Sequence, residues 1–259
     1  MAVMSDEEAT RPDVQAARRA LRRAALLTAG AGIGFGVLSI LAWYLLRQDR
    51  EAFMGADSTV AYYGAADSTT ARLAGLYLLP FAAILFLWFT VALRGWVRGT
   101  QRRRNMLISD LQLVSGAVFT AIFLIGAAAV ATSVIVLQSE AETIPATSLQ
   151  ALSAFGASLM GIMGVRMAAI FVISTASLGL TTGSLPRWFS FLSYGFGLIL
   201  MLTPVVEADL IIAFPLWVIV LSVMLLYHLA HVPTEEIPGF ALRYADPTAS
   251  GSEDDQISD

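Results

Sequence analysis

Between Gly156 and Trp188 a long apolar segment carries one arginine, Arg166, and then breaks at Thr181-Thr182-Gly183-Ser184-Leu185-Pro186-Arg187-Trp188. A guanidinium is expensive in hydrocarbon, so within such a run it faces protein or trapped water and needs a partner. The segment therefore reads as a central membrane helix, and the rest of the chain as the bundle that must cover it. Composition agrees, because 57 % of residues are hydrophobic, 14 % are charged and the mean hydropathy is +0.70, outside the soluble globular range. The apolar runs fill most of the 259 residues and leave short loops and two tails. One helical membrane domain over residues 24–231 is expected, between a cytoplasmic N-terminal segment, 1–23, and an acidic disordered cytoplasmic tail, 232–259.

Six transmembrane helices are expected, at 24–46, 73–93, 111–134, 149–180, 188–206 and 210–229, which makes the fold class an all-α integral membrane protein. Ser5 and Glu8 are spaced as a capping box ahead of the first helix. The first run is read as retained, because it is too long for a signal peptide and ends in Trp43-Tyr44-Leu45-Leu46-Arg47 rather than in a small-residue cleavage site. Pro80 is placed to kink the second. The fourth run would be about 48 Å long as one helix, so it must protrude, tilt or bend at Gly156, Gly161 or Gly164. Only Glu207-Ala208-Asp209 separates the last two, which predicts an antiparallel hairpin.

Gly30, Gly32, Gly34 and Gly36 form two overlapping GxxxG pairs on nearly opposite sides of the first helix. Such glycines let backbones approach closely, here for packing within the chain or, as the alternative, for a homodimer seam. On the fourth run, Ala157, Gly161, Gly164, Ala168 and Thr175 share one helical face, and Arg166 falls opposite with Ile162, Ile173 and Ser177. Small residues ask for a close neighbour and arginine cannot comfortably meet lipid, so both sides should be covered by protein.

With six spans, Arg11, Arg18, Arg19, Arg22, Arg23, Arg94, Arg98, Arg102, Arg103, Arg104, Arg187 and Arg243 fall on the side of the N-terminus, and only Arg47, Arg50 and Arg72 on the other. The positive-inside rule then puts both termini in the cytoplasm. The basic run after the second span is read as a topology signal in contact with anionic lipid headgroups, not as a nucleic-acid site. Asp110, beside it, is a favourable helix N-terminal charge and a partner for those arginines.

The run Arg166-Met167-Ala168-Ala169-Ile170-Phe171-Val172-Ile173-Ser174-Thr175, with Thr182-Gly183-Ser184-Leu185-Pro186-Arg187-Trp188 and Phe214-Pro215-Leu216-Trp217, resembles a group of uncharacterised multi-pass membrane proteins of actinobacteria. The likeness runs roughly from the second span to the sixth. It implies six helices and a bacterial plasma membrane, and supplies no activity.

Arg166 is the candidate site residue. Fourteen residues separate it from Leu180, about 21 Å along a helix, which sets it in the outer leaflet. There it would hold an anionic ligand, snorkel to carbonyls and water, or pair with Glu207 or Asp209 as a structural clamp; the Arg166–Glu207 pair is the expectation carried forward. His228 and His231, followed by Glu235 and Glu236, have weak metal-ligand spacing at a helix end, where histidine suits the helix dipole, and no metal is expected. The absence of cysteine and lysine removes thiol and Schiff-base chemistry. There is no HExxH, GxSxG, phosphate-loop or dinucleotide fingerprint and no acidic pair inside a span. The expected function is therefore non-enzymatic and cofactor-free: a packing or partner protein in the lipid bilayer, with a homo-oligomer or another membrane protein as its protein partner. The alternative is a small transporter or ligand-binding protein for an anionic or amphiphilic solute held by Arg166.

Overall fold

The computed structural model describes residues 6–51, 73–98, 106–138, 146–203 and 210–231, and every described element is helical. Helix α1 spans Asp6–Glu51; α2, Leu79–Arg98, follows a π turn at Ala74–Leu78; α3 is Met106–Gln138. Helix α4, Ala146–Ser158, runs through a second π turn, Leu159–Gly164, into α5, Val165–Thr182; α6 is Arg187–Leu202 and α7 is Leu210–His231. Four stretches are long and apolar enough to cross a membrane: Ala25–Leu46, Leu76–Gly95, Met106–Ala129 and Ala154–Thr182. Two shorter apolar helices, Arg187–Leu202 and Ile212–Tyr227, complete the described set.

The break after α5 follows from its residues. Gly183 has φ +70°, a left-handed conformation that costs glycine nothing, and it ends the helix. Pro186 then stands immediately before α6, where its carbonyl accepts the Ser190 N–H at 3.1 Å.

The π turn at Leu159–Gly164 contains two of the three glycines at which a bend is expected, Gly161 and Gly164, and there the Val165 N–H reaches Met160 O, five residues back. It also corrects the expected small-residue face. The turn takes in an extra residue and shifts the helical phase, so positions before and after it no longer align. Ala157 is exposed and a Cβ on Gly161 would meet nothing within 4 Å, whereas Gly164, Ala168 and Thr175 are buried. Helix α3 begins at Met106, five residues before the expected start, because its first turns pack inward: Ser109 and Gln112 are buried. Asp110 thus lies a full turn inside the helix rather than at its N-terminus.

In packing order the helices run α6, α5, α3, α2, α1, α7, and α4 flanks α3. Their common centre is a cluster of phenylalanines contributed by five helices. Phe86 of α2 lies 4.7 Å from Phe35 of α1, 4.9 Å from Phe119 of α3, 5.2 Å from Phe171 of α5 and 5.6 Å from Phe214 of α7, ring centre to ring centre. Most of these pairs are edge-on, the arrangement that aligns ring quadrupoles favourably. Of the α1 glycines, Gly36 packs on α7, with Pro215 O 3.0 Å from the position of a Cβ, and Gly32 packs on Phe89 and Ser222. Gly34 meets Leu85 of α2, and Gly30 has nothing within 4 Å. Packing within the chain thus accounts for three of the four.

Helices α6 and α7, expected as a close hairpin, are joined through side chains. Trp217 donates its Nε1–H to Ser193 Oγ at 3.0 Å and stacks on Phe189 with ring centres 6.2 Å apart. Large rings standing in the seam hold these two backbones further apart than the glycine-lined pairs; the turn itself, 204–209, lies outside the described residues.

Candidate functional site

Arg166 sits in the first turn of α5, directly after the π turn, and is partly buried. Its Nη1 donates to Ile162 O at 2.6 Å, so the guanidinium reaches back to a carbonyl of the loosened turn. The rest of its helical face meets α6. Ile173 packs where a Cβ on Gly197 would lie, and the Ser177 and Tyr194 hydroxyls are 2.7 Å apart. The face is therefore covered along its lower part, while Ile162 and Met163 beside Arg166 are exposed. Glu207 and Asp209, its expected partners, lie outside the described residues, as do the side chains of His228 and His231. Among the described residues no three metal-ligating side chains cluster.

A second group of polar residues lies at the other end of the bundle, where α2 ends and α3 begins. Arg94 is paired with Asp110 across α2 and α3, its side chain 16 % exposed against 54 % for the aspartate. This bears out Asp110 as a partner of the arginines, though not as a helix N-terminal charge. Deeper in, Gln112 is fully buried and donates Nε2–H to Thr175 Oγ1 at 3.0 Å, while the Thr175 hydroxyl donates to Phe171 O at 2.7 Å. That fixes the amide: with its own proton committed to Phe171, Thr175 can only accept, so Gln112 presents its NH2 to it and its oxygen elsewhere. Gln112 Oε1, Ser109 Oγ, Arg94 Nε and Ser190 Oγ are buried without a hydrogen-bond partner among the described residues. Thr175 also lines a small cavity of about 10 Å³, together with Leu93, Gly179, Ser184, Leu185, Leu221 and Leu225.

The two groups are separated by the phenylalanine cluster. Thr175 lies one turn from Phe171 on α5, and Arg166 lies beyond Phe171 on its other side. Sequence reasoning singled out Arg166 and passed over Gln112, although the same signal marks both: a side chain with obligatory hydrogen bonds inside an otherwise apolar run. No known protein family, curated protein or solved structure matches the chain.

Proposed function

We propose that the chain is a non-enzymatic, six-span protein of a bacterial plasma membrane, with both termini in the cytoplasm, that works by packing against lipid and against other membrane proteins. The observation that carries this reading is the filled centre, where phenylalanines from five helices meet. A solute carrier needs a polar site near the midplane, between elements that can part. The two shorter helices supply the fifth and sixth spans, and the arginine asymmetry of twelve to three orients them. The basic end then faces anionic lipid headgroups, to which each arginine near the surface adds roughly 1 kcal/mol of attraction. The bacterial setting rests on the resemblance of the Arg166–Trp188 stretch.

A second reading, an anionic or amphiphilic ligand at Arg166, is favoured by one feature: the arginine is partly exposed and directly follows a π turn, a distortion frequent at functional sites. A ligand-stabilisation screen on the purified protein, with Arg166→Ala as control, separates the two. Stabilisation by an anionic solute that Arg166→Ala abolishes would replace the first reading with the second. Reporter fusions at residues 60, 100, 142 and 250 test the topology, and a periplasmic signal at 100 or 250 rejects it.

A further inference from the structure

Four of the five buried polar atoms without a partner among the described residues, Arg94 Nε, Ser109 Oγ, Gln112 Oε1 and Ser190 Oγ, lie at one end of the bundle; the fifth is Ser39 Oγ. One donor, one acceptor and two hydroxyls of either sense, all buried, form a set that a small molecule with both donors and acceptors would satisfy. The cavity lined by Thr175, the partner of Gln112, sets the scale, because about 10 Å³ is the space one water needs and is too little for any larger solute. Its lining offers one anchor bonded to an unsatisfied group. Thr175 Oγ1 accepts from Gln112 and keeps a second lone pair. The other hydroxyl of the lining, Ser184, is already engaged: Thr182 gives its one proton to Leu178 O at 2.7 Å, and the Ser184 hydroxyl donates to Thr182 Oγ1 at 2.8 Å.

We infer that this end of the bundle is a binding site for internal water: one molecule in the cavity, held by Thr175 Oγ1 and Gln112 Oε1, and others satisfying Ser109 Oγ and Arg94 Nε. Hydration then extends inward from the half-exposed Asp110 toward the layer of Phe86, Phe119 and Phe171. The inference is independent of the proposed function, because a packing protein and a carrier could equally hold such water.

Radiolytic hydroxyl-radical labelling of the full chain in lipid nanodiscs tests it, because side chains beside bound internal water are oxidised although bulk solvent does not reach them. Leu221 and Leu200 are a matched pair: both are buried, but only Leu221 lines the cavity. The expected result is labelling of Leu221 severalfold faster than Leu200, falling toward the Leu200 rate in Thr175→Val, which keeps the shape and removes the hydroxyl. Gln112→Leu, which keeps the bulk and removes the amide, provides the same comparison should Thr175→Val fail to fold. Equal labelling of the two leucines in the native chain would overturn the inference, as would a Leu221 rate unchanged in the folded variants.

Discussion

Removing the Phe86 ring is the sharpest test of what holds the bundle together. In water, a buried phenylalanine stabilises partly because its ring leaves solvent, but a bilayer is as apolar as the core, so here that contribution is close to nil. What remains is packing. Phe86→Ala removes on the order of 100 Å³ of side chain, and at about 24 cal/mol per Å³ of residual cavity this comes to roughly 2.4 kcal/mol if the surroundings do not relax. Phe86 also has ring partners in Phe35, Phe89, Phe119, Phe171 and Phe214. Such pairs are worth about 0.5–1.5 kcal/mol each beyond area burial, but they are not additive when one ring serves five. A total loss of about 3–5 kcal/mol is expected. Phe86→Leu nearly keeps the volume and loses the ring pairs, so it should cost about 1–2 kcal/mol. Trp88, two residues away and 67 % exposed toward the bilayer, provides the control, and Trp88→Ala should cost under about 0.5 kcal/mol. Reversible unfolding in mixed micelles, followed by the tryptophan signal for the Phe86 variants and by helical circular dichroism for all three, gives these differences. If Phe86→Ala cost no more than Trp88→Ala, the ring cluster would not be the centre of stability.

At Gly36 a methyl group would press on Ile219 and, at 3.0 Å, on the Pro215 carbonyl, so Gly36→Ala should cost about 1–3 kcal/mol while Gly30→Ala is near neutral; a thermal-unfolding comparison reads both. We propose that Arg166 pairs with Glu207. Because Arg166 is partly exposed, their coupling in a double-mutant cycle of Arg166→Gln and Glu207→Gln should be about 1 kcal/mol, below the 3–5 of a fully desolvated pair, and strict additivity would remove the pairing. Neutralising Arg18, Arg19, Arg22 and Arg23 together with Arg98, Arg102, Arg103 and Arg104 should lower the preference for anionic over zwitterionic vesicles, and salt should have the same effect on the native chain; an unchanged preference would limit these arginines to setting topology.

The sequence displays the apolar runs plainly, because length and hydropathy alone define them, and it marks Gly32 and Gly36 because close backbone approach needs the missing side chain. It hides which way each helix faces. In water the buried and exposed faces differ in polarity, but in a bilayer both are apolar, so Phe86 and Trp88 look alike in sequence although one is fully buried and the other exposed. The inward-facing signal lies instead in scattered polar residues such as Gln112 and Thr175. The glycines of Leu159–Gly164 mark a bend but not its form, since only the Val165 N–H to Met160 O pairing distinguishes a π turn. Of the candidate site, the position of Arg166 after a helix bend was legible; its reach to Ile162 O was not, because that carbonyl belongs to the π turn.

The Trp217 bridge gives the bundle a direction of least resistance. Elsewhere neighbouring helices meet through glycines or interlocked rings, as where Gly36 lies under Pro215 and Gly197 under Ile173, so separating them opens a gap along whole turns. Between α6 and α7, a flip of one indole would release the Ser193 hydrogen bond and the Phe189 stack together. A bundle built this way yields first along one longitudinal line, as a stave barrel opens at its loosest joint, and whatever enters from the bilayer, a lipid tail or a neighbouring helix, would find its entrance there.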